Sequence, residues 1–208
     1  MSFFENTKKP EGFGGKIMVT MMNSGHSKLA DWGISFLSLS KDSAVLDCGC
    51  GGGANLHKLL KHCPKGTVTG IDYSSVSVEK SKKLNAKAVT EGRCRVLEAS
   101  VATLPFENHK FDVVTAFETV YFWPEVVDCF REVSRVMKNG GTFLVCNEAN
   151  GDTNKNDKWT QIISEMTIYL DAQLKTVLEE AGFTNIQIHK NVHQDWLCVT
   201  GQKQEKHG

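Results

Sequence analysis

Two aspartates and a run of glycines are the residues of this chain whose types and spacing best suit chemistry. Asp47 lies within the run Val45-Leu46-Asp47-Cys48-Gly49-Cys50-Gly51-Gly52-Gly53, and Asp72 ends a second apolar run nineteen residues after Gly53. Glycines let a backbone approach a ligand closely and adopt positive φ angles. An acid at the end of the second strand suits the hydroxyls of a ribose. The pattern predicts a site for an adenosine-containing cofactor.

The glycine spacing alone fits two cofactors. Gly49, Gly51 and Ala54 satisfy the G-x-G-x-x-A fingerprint of dinucleotide-binding proteins, so an NAD-linked oxidoreductase is one interpretation. Asp47 favours another, because a pyrophosphate beside it would meet an unpaired carboxylate of like charge. S-adenosylmethionine carries a sulfonium, an ammonium group and a ribose diol, and it has no phosphate. We therefore expect S-adenosyl-L-methionine as cofactor, with S-adenosyl-L-homocysteine as its product.

Alternating strands and helices are predicted to position this site. Apolar, β-branched runs predict strands at 44–48, 67–72, 93–98, 112–117 and 142–147. Helical spacing of apolar residues separates them at 55–62, 76–89 and 126–137. A helix at 170–181 is followed by strands at 184–190 and 195–200, with a link short enough to make them antiparallel. The prediction is an α/β fold: a doubly wound, Rossmann-like, seven-stranded mixed sheet with an antiparallel C-terminal hairpin.

Composition limits the partners and the cell compartment. The 208 residues contain 24 Lys and Arg against 24 Asp and Glu, so no overall field attracts nucleic acid or an anionic membrane surface. The seven cysteines are scattered and odd in number, which suits a reducing cytosol. No stretch approaches the length of an apolar membrane span. We expect a cytoplasmic protein that is a monomer or a homodimer. Its partner is expected to be a small-molecule substrate rather than a nucleic acid or a membrane.

Four motifs, in order, resemble those of the class I S-adenosylmethionine-dependent methyltransferases. They are Val45–Gly53, Gly70–Ser74, Leu104–Phe106 with Phe111–Val114, and Arg135–Gly141, and Glu179–Phe183 extends the match towards the C-terminus. The chain looks closest to the small bacterial branch that includes the ubiquinone and menaquinone biosynthesis type. The resemblance implies methyl transfer by in-line displacement to a small-molecule acceptor, and it does not indicate which acceptor.

The length of the chain and its local composition predict a domain organisation. We expect one methyltransferase domain over residues 1–208. It comprises a mobile arm at 1–15, an N-terminal helical lid at 16–40, a cofactor-binding core at 41–148, and a variable segment with the terminal hairpin at 149–208.

The same resemblance assigns cofactor contacts to several residues. Asp47, Gly49 and Gly51, with Cys50 in the same turn, would border the methionine half of the cofactor. Asp72 would hold the ribose hydroxyls. Tyr73 would lie beside the adenine.

Two further contacts come with a departure from the family pattern. An acidic residue usually bonds the adenine amine, and Ala99-Ser100-Val101 stands in its place here, so Ser100 or the backbone of Val101 is expected to take over. Glu118 occupies the position that lines the mouth beneath the sulfonium, where it either favours positive charge or orients the loop.

Catalytic candidates are fewer. His26 lies in the segment that crosses the methyl end of the cofactor in this fold, as a general base or as a capping residue of the lid. Tyr121 follows the fourth strand, with Phe122 and Trp123, on the loop where parallel sheets bind their ligands. No metal site is predicted, because Cys48-Gly49-Cys50 has no second ligand pair at metal spacing. No residue is clearly identified as a catalytic base, and Ser100 stands where the family usually has an acid. These two features leave open a third interpretation, a catalytically silent module that binds S-adenosylmethionine.

Overall fold

A computed structural model describes residues 27–149 and 166–204 of the chain. The predictions made for the arm at 1–15, for the first part of the lid at 16–26, and for 150–165 lie outside these residues.

One mixed sheet organises the described part of the chain, and its seven strands have the order β3-β2-β1-β4-β5-β7-β6. The strands are β1 (Ala44–Cys48), β2 (Thr67–Asp72), β3 (Cys94–Glu98), β4 (Phe111–Phe117), β5 (Met137–Asn147), β6 (Phe183–Asn191) and β7 (Trp196–Lys203). β1 to β5 are parallel, whereas β7 is antiparallel to both β5 and β6. The predicted fold class is confirmed.

Helices cover both faces of the sheet. They are α1 (Ser27–Ile34), α2 (Ala54–His62), α3 (Ser75–Leu84), α4 (Ala86–Thr90), α5 (Val126–Val136) and α6 (Asp171–Glu180), with a short 3-10 helix at Val120–Phe122. The apolar residues of α1 to α4 pack in one core cluster, and those of α5 and α6 pack in the other. Strands buried on both faces explain why their sequences are apolar runs rather than alternating patterns.

Two elements differ from the sequence prediction. The helix predicted at 76–89 is divided at Asn85, whose amide donates to the carbonyls of Gly53 and Ser81 at 3.0 Å each. Residues 138–141, which precede the strand predicted at 142–147, lie within β5, where the pairing with β4 is irregular. Gly140 has a φ of 72° there. The spacing of apolar residues does not encode the hydrogen bonds of Asn85 or the backbone conformation of Gly140, so it could not predict these two irregularities.

The first described helix is fastened to the domain. Leu29 and Ala30 of α1 are buried against the sheet. The ammonium group of Lys58 in α2 donates hydrogen bonds to the carbonyl and hydroxyl oxygens of Ser27 at 2.6 and 2.9 Å. It also forms an ion pair with Asp31 at 2.5 Å. The helix that belongs to the predicted lid is therefore held directly against the helix that follows the glycine run.

Among residues 27–149 and 166–204, no helix is both long and apolar enough to cross a membrane.

Candidate functional site

The glycine run forms a tight turn between β1 and α2. The backbone N–H groups of Gly49 and Cys50 both donate to the carbonyl of Ile71, at 2.8 and 2.9 Å. Gly49, Gly51 and Gly53 have φ angles of 76°, 50° and 83°. L-residues with a side chain rarely adopt these values, so the conformation itself explains the glycines. The turn at the carboxyl end of β1 is thereby tied to the carboxyl end of β2.

The space around these glycines differs from one to the next. A Cβ atom on Gly49 would lie 2.2 Å from Oγ1 of Thr119, in the loop after β4. A Cβ on Gly51 would meet no protein atom within 4 Å among the described residues. Gly49 is thus required by packing within the protein, while Gly51 borders open space that a ligand can fill.

Asp47 is a buried carboxylate with one unsatisfied oxygen. Its side chain is 1% exposed, and its Oδ1 accepts a hydrogen bond from the hydroxyl of Thr115 at 2.7 Å. Its Oδ2 has no hydrogen-bond partner in the described part of the chain. Burial raises the pKa of Asp47 to about 7, with a smaller contribution from the charge of Asp72, although the Thr115 bond opposes the rise. A buried oxygen of this kind is costly unless a donor or a cation binds it.

Asp72 holds the turn from the neighbouring strand. Its Oδ2 accepts from the backbone N–H of Gly51 at 2.9 Å, and its Oδ1 accepts from that of Ser74 at 2.9 Å. Burial raises its pKa above the ordinary range, and the two backbone bonds oppose this. Carboxylate oxygens can accept more than one bond each, so Asp72 can organise the turn and still accept hydroxyl donors.

A cleft of about 290 Å³ lies at this edge of the sheet. It is lined by Gly49, Ile71, Asp72, Tyr73, Ala99, Ser100, Val101, Thr119, Phe122, Trp123 and Pro124. Five of the predicted cofactor residues are therefore brought to one cavity, namely Gly49, Asp72, Tyr73, Ser100 and Val101. Asp47, Cys50, Gly51, Glu118 and Tyr121 do not belong to its wall.

Thr119 and Pro124 are cleft residues that the sequence analysis did not propose. Thr119 is in contact range of the glycine turn, and its Oγ1 accepts from the indole N–H of Trp123 at 3.2 Å. The available signal was their place on the loop after β4, where a parallel sheet collects its ligand residues. Phe122 and Trp123, from the same aromatic run, do line the cleft.

The proposed adenine contacts Tyr73, Ser100 and Val101 also line the cleft. Tyr73 is 38% exposed, which leaves its ring available to a ligand. The hydroxyl oxygen of Ser100 already accepts from the N–H of Ala102 at 3.2 Å, so that side chain shapes the loop. Val101 is 9% exposed and contributes an apolar surface.

Glu118 and Tyr121 form a polar cluster behind the cleft. Oε1 of Glu118 accepts from the hydroxyl of Tyr121 at 3.1 Å and, through a very short bond, from the N–H of Glu148. The Tyr121 oxygen accepts in turn from the N–H of Ala149 at 3.2 Å. The cluster joins the loop after β4 to the chain that leaves β5.

Burial and neighbouring charges raise the pKa values of both Glu118 and Tyr121. Burial, reinforced by the charge of Glu148, raises the pKa of Glu118 to about 8. Burial and the charge of Glu118 keep the pKa of Tyr121 well above its ordinary value. Glu118 also has a φ of 57°, which is uncommon for a residue with a side chain and is typical of functional sites.

The remaining candidates carry less information. His26 lies outside the described residues. Cys50 is buried, with its thiol 4.0 Å from the hydroxyl of Ser81, so it packs behind the turn. All seven cysteines are buried and free. Within the described ranges, no group of three His, Cys, Asp or Glu side chains is placed to hold a metal ion.

A family model described as a methyltransferase domain matches residues 39–199. The chain belongs to this methyltransferase family. Membership confirms the family assignment made from the four motifs, and it does not favour the dinucleotide alternative.

Individual relatives show how broad the family is. The chain is 34% identical to cycloartenol-C-24-methyltransferase 1 of Oryza sativa subsp. japonica over 52% of its own length and 31% of the relative's. It is 29% identical to the tRNA U34 carboxymethyltransferase of Aliarcobacter butzleri over 80% of its length and 54% of that protein. It therefore spans between 31% and 54% of the length of these curated relatives.

The fold is shared with solved structures as well. The protein bound to the Haloferax volcanii Trm112 methyltransferase activator superposes with a TM-score of 0.81 at 19% identity, covering 92% of this chain and 96% of that one. At this level of identity the similarity shows the fold.

Proposed function

We propose that this methyltransferase-family protein transfers a methyl group from S-adenosyl-L-methionine to a small-molecule acceptor. The observation that carries the proposal is the unpartnered Oδ2 of Asp47, buried two residues before the positive-φ glycine turn. A buried carboxylate oxygen attracts a cation and repels a pyrophosphate. An ammonium or sulfonium group therefore fits this turn, and a dinucleotide does not.

The residues of the cleft suit the other parts of the cofactor. Asp72 is fixed by the N–H groups of Gly51 and Ser74, so its remaining acceptor capacity is directed for ribose hydroxyls. The exposed ring of Tyr73 and the apolar surface of Val101 suit the adenine. S-adenosylmethionine, when bound, would supply a methyl group activated by positively charged sulfur.

The protein then contributes mainly alignment. Holding two reactants in a reactive geometry accounts for about 7–11 kcal/mol of barrier reduction in favourable cases, so a strong base is not essential. Glu118 and Tyr121 are suited to fix the two loops that flank the acceptor, because they link the β4 loop to residues 148–149. We assign Tyr121 this positioning role beside its predicted catalytic one, and His26 remains the candidate base.

A small organic acceptor fits the balance of charges. The chain has equal numbers of acidic and basic residues, so it lacks the excess of positive charge typical of proteins that bind nucleic acids. Apolar residues such as Val101, Phe122 and Trp123 dominate the cleft wall. The relatives include a protein named for a sterol and one named for tRNA, so we propose the acceptor class on the chemistry of this chain. A cytoplasmic monomer or homodimer remains our prediction.

Calorimetric titration with S-adenosylhomocysteine tests cofactor binding. We expect a micromolar dissociation constant for the wild type and a loss of at least about a hundredfold for Asp72→Ala, because this variant removes both the ribose acceptor and the anchor of the turn. Asp128→Ala, on the exposed surface of α5, is the control and should bind as the wild type does. Absence of wild-type binding, together with stabilisation by NAD, would instead support the dinucleotide alternative.

Turnover is tested separately from binding. Metabolite extracts incubated with the protein and isotopically labelled methyl donor should yield a labelled small molecule by mass spectrometry. Binding of S-adenosylhomocysteine without any labelled product across extracts would favour the silent binding module.

A further inference from the structure

The part of the cleft wall formed by residues 99–101 has two anchors. Its first anchor is the N–H of Ala99, which donates to the carbonyl of Asp72 at 3.0 Å and joins the wall to β2. Hydrogen bonds from the N–H groups of Ala102 and Thr103 to Ser100 then shape a turn. The second anchor comes from α5, which packs in the other core cluster from α2, the helix that follows the glycine turn.

Arg135, in the last turn of α5, supplies that second anchor. Its Nη2 donates to the carbonyl of Leu104 at 3.0 Å, and its Nη1 donates to the carbonyl of Phe106 and to the side chain of Asn108 at 2.8 and 2.7 Å. A guanidinium group has five N–H donors in a rigid plane. Three of them are used on one short stretch of the β3–β4 loop.

Glu132 takes the remaining two donors. Its carboxylate accepts from Nε and Nη2 of Arg135 at 2.8 Å each, which is the bidentate geometry that fixes a guanidinium in orientation. Its Oε1 also accepts from the N–H of Leu104 at 2.8 Å. Both backbone groups of Leu104 are therefore captured by this ion pair.

Apolar contacts complete the attachment. Leu104 and Phe106 are buried in the same core cluster as Val101, which lines the cleft. All five N–H donors of Arg135 have partners, and one orientation of the guanidinium group satisfies them all. The β3–β4 loop therefore has little freedom to shift while the Arg135–Glu132 pair is intact. The position of residues 100 and 101 thus depends on a residue that does not touch the cleft.

We propose that Arg135 is a positioning residue: together with Glu132, it fixes the wall that receives the adenine ring and so sets the preference for adenine over other purines. The inference rests on the proposed function, because it concerns the cofactor of that same cleft. This chain has no acidic side chain at Ala99-Ser100-Val101, so the purine must be recognised by the exact placement of backbone groups and by shape. Such recognition is sensitive to displacements of a fraction of an ångström.

The test compares S-adenosylhomocysteine with S-inosylhomocysteine, in which the adenine amine is replaced by a carbonyl oxygen. We expect wild type to bind the adenine compound at least about tenfold more tightly. In Arg135→Gln the ratio of the two dissociation constants should fall by about fivefold or more, with Arg135→Lys between the two. Arg131→Gln is the matched control, since Arg131 also pairs with an acid three residues earlier in α5, Asp128, through a single exposed bond of 2.7 Å.

The outcomes separate the two proposals. If Arg135→Gln leaves the ratio unchanged, or weakens both ligands equally, the positioning role is wrong even though the cofactor site is correct. If wild type binds neither compound, the proposed function fails instead. Should Arg135→Gln not fold, the ratio measured for Arg135→Lys decides by the same criterion.

Discussion

Asp47, Asp72 and Glu118 are carboxyl groups buried near one cleft, and burial raises the pKa of each. Folding therefore removes these acids from water without supplying a cation among the described residues around Asp47. This burial costs stability, and under the proposed function it leaves a site that suits a positively charged ligand. Residues of this kind are expected to show a conflict between stability and binding.

Asp47→Asn should stabilise the ligand-free protein at alkaline pH. The folded-state pKa of Asp47, about 7, lies above its ordinary value of 3.8, so its stabilising contribution is complete below pH 3.8 and is lost as pH rises through 7. The amide keeps an oxygen for Thr115 and carries no charge. We expect a gain of roughly 1–3 kcal/mol at pH 8.5 and none at pH 4, by thermal unfolding.

The control for this substitution is Asp128→Asn, on the exposed surface of α5. A loss of stability for Asp47→Asn that is equal at both pH values would show that the ionisation of Asp47 does not limit the stability of the protein.

In the turn from β1 into α2, each glycine is required for a different reason. Gly49 is constrained by Thr119, and Gly51 borders open space. Both have positive φ, so the backbone strain of a substitution is similar for the two, about 1–2 kcal/mol. Any further difference between their variants must come from what surrounds them.

Gly51→Ala should retain the fold and lose the ligand. We expect a melting temperature only a few degrees below wild type, with binding of S-adenosylhomocysteine weakened by at least about tenfold. Gly49→Ala should lower both, since its methyl group displaces Thr119. Gly92→Ala is the matched control: its φ is 73°, a Cβ there has open space, and it lies in the turn before β3. Equal binding by Gly51→Ala and Gly92→Ala would remove the turn from the cofactor site.

At the scale of the whole molecule, α1 joins a segment that precedes the sheet to the helix of the glycine turn. Lys58 makes this connection through Ser27 and Asp31. Its side chain is 18% exposed, so the interaction is partly shielded from solvent.

Lys58→Met should loosen α1 without disturbing the sheet. We expect faster amide hydrogen exchange in residues 27–34 and a global loss of no more than about 1 kcal/mol, because the packing of Leu29 and Ala30 remains. Lys61→Met, at an exposed position of the same helix, should leave the exchange of α1 unchanged. Unaltered exchange in Lys58→Met would show that apolar packing alone holds this helix.

The sequence by itself determined the fold class, the family and the residues of the turn. Buried parallel strands require apolar runs, and positive φ angles require glycine, so both leave a local record in the chain. Asp47 and Asp72 were identifiable because each stands at the end of such a run. Tyr73, Ser100 and Val101 were found by family resemblance, and the structure brings them to the cleft.

Only the tertiary structure decided which polar atoms are satisfied. The free oxygen of Asp47, the contact of Thr119 with Gly49 and the five bonds of Arg135 join residues from different elements. Their sequence separations carry no periodic signal, because hydrogen bonds between elements depend on how the helices and loops pack around the sheet. The sequence thus specified the residues that are proposed to bind the methyl donor. The packing specified how those residues are held in place.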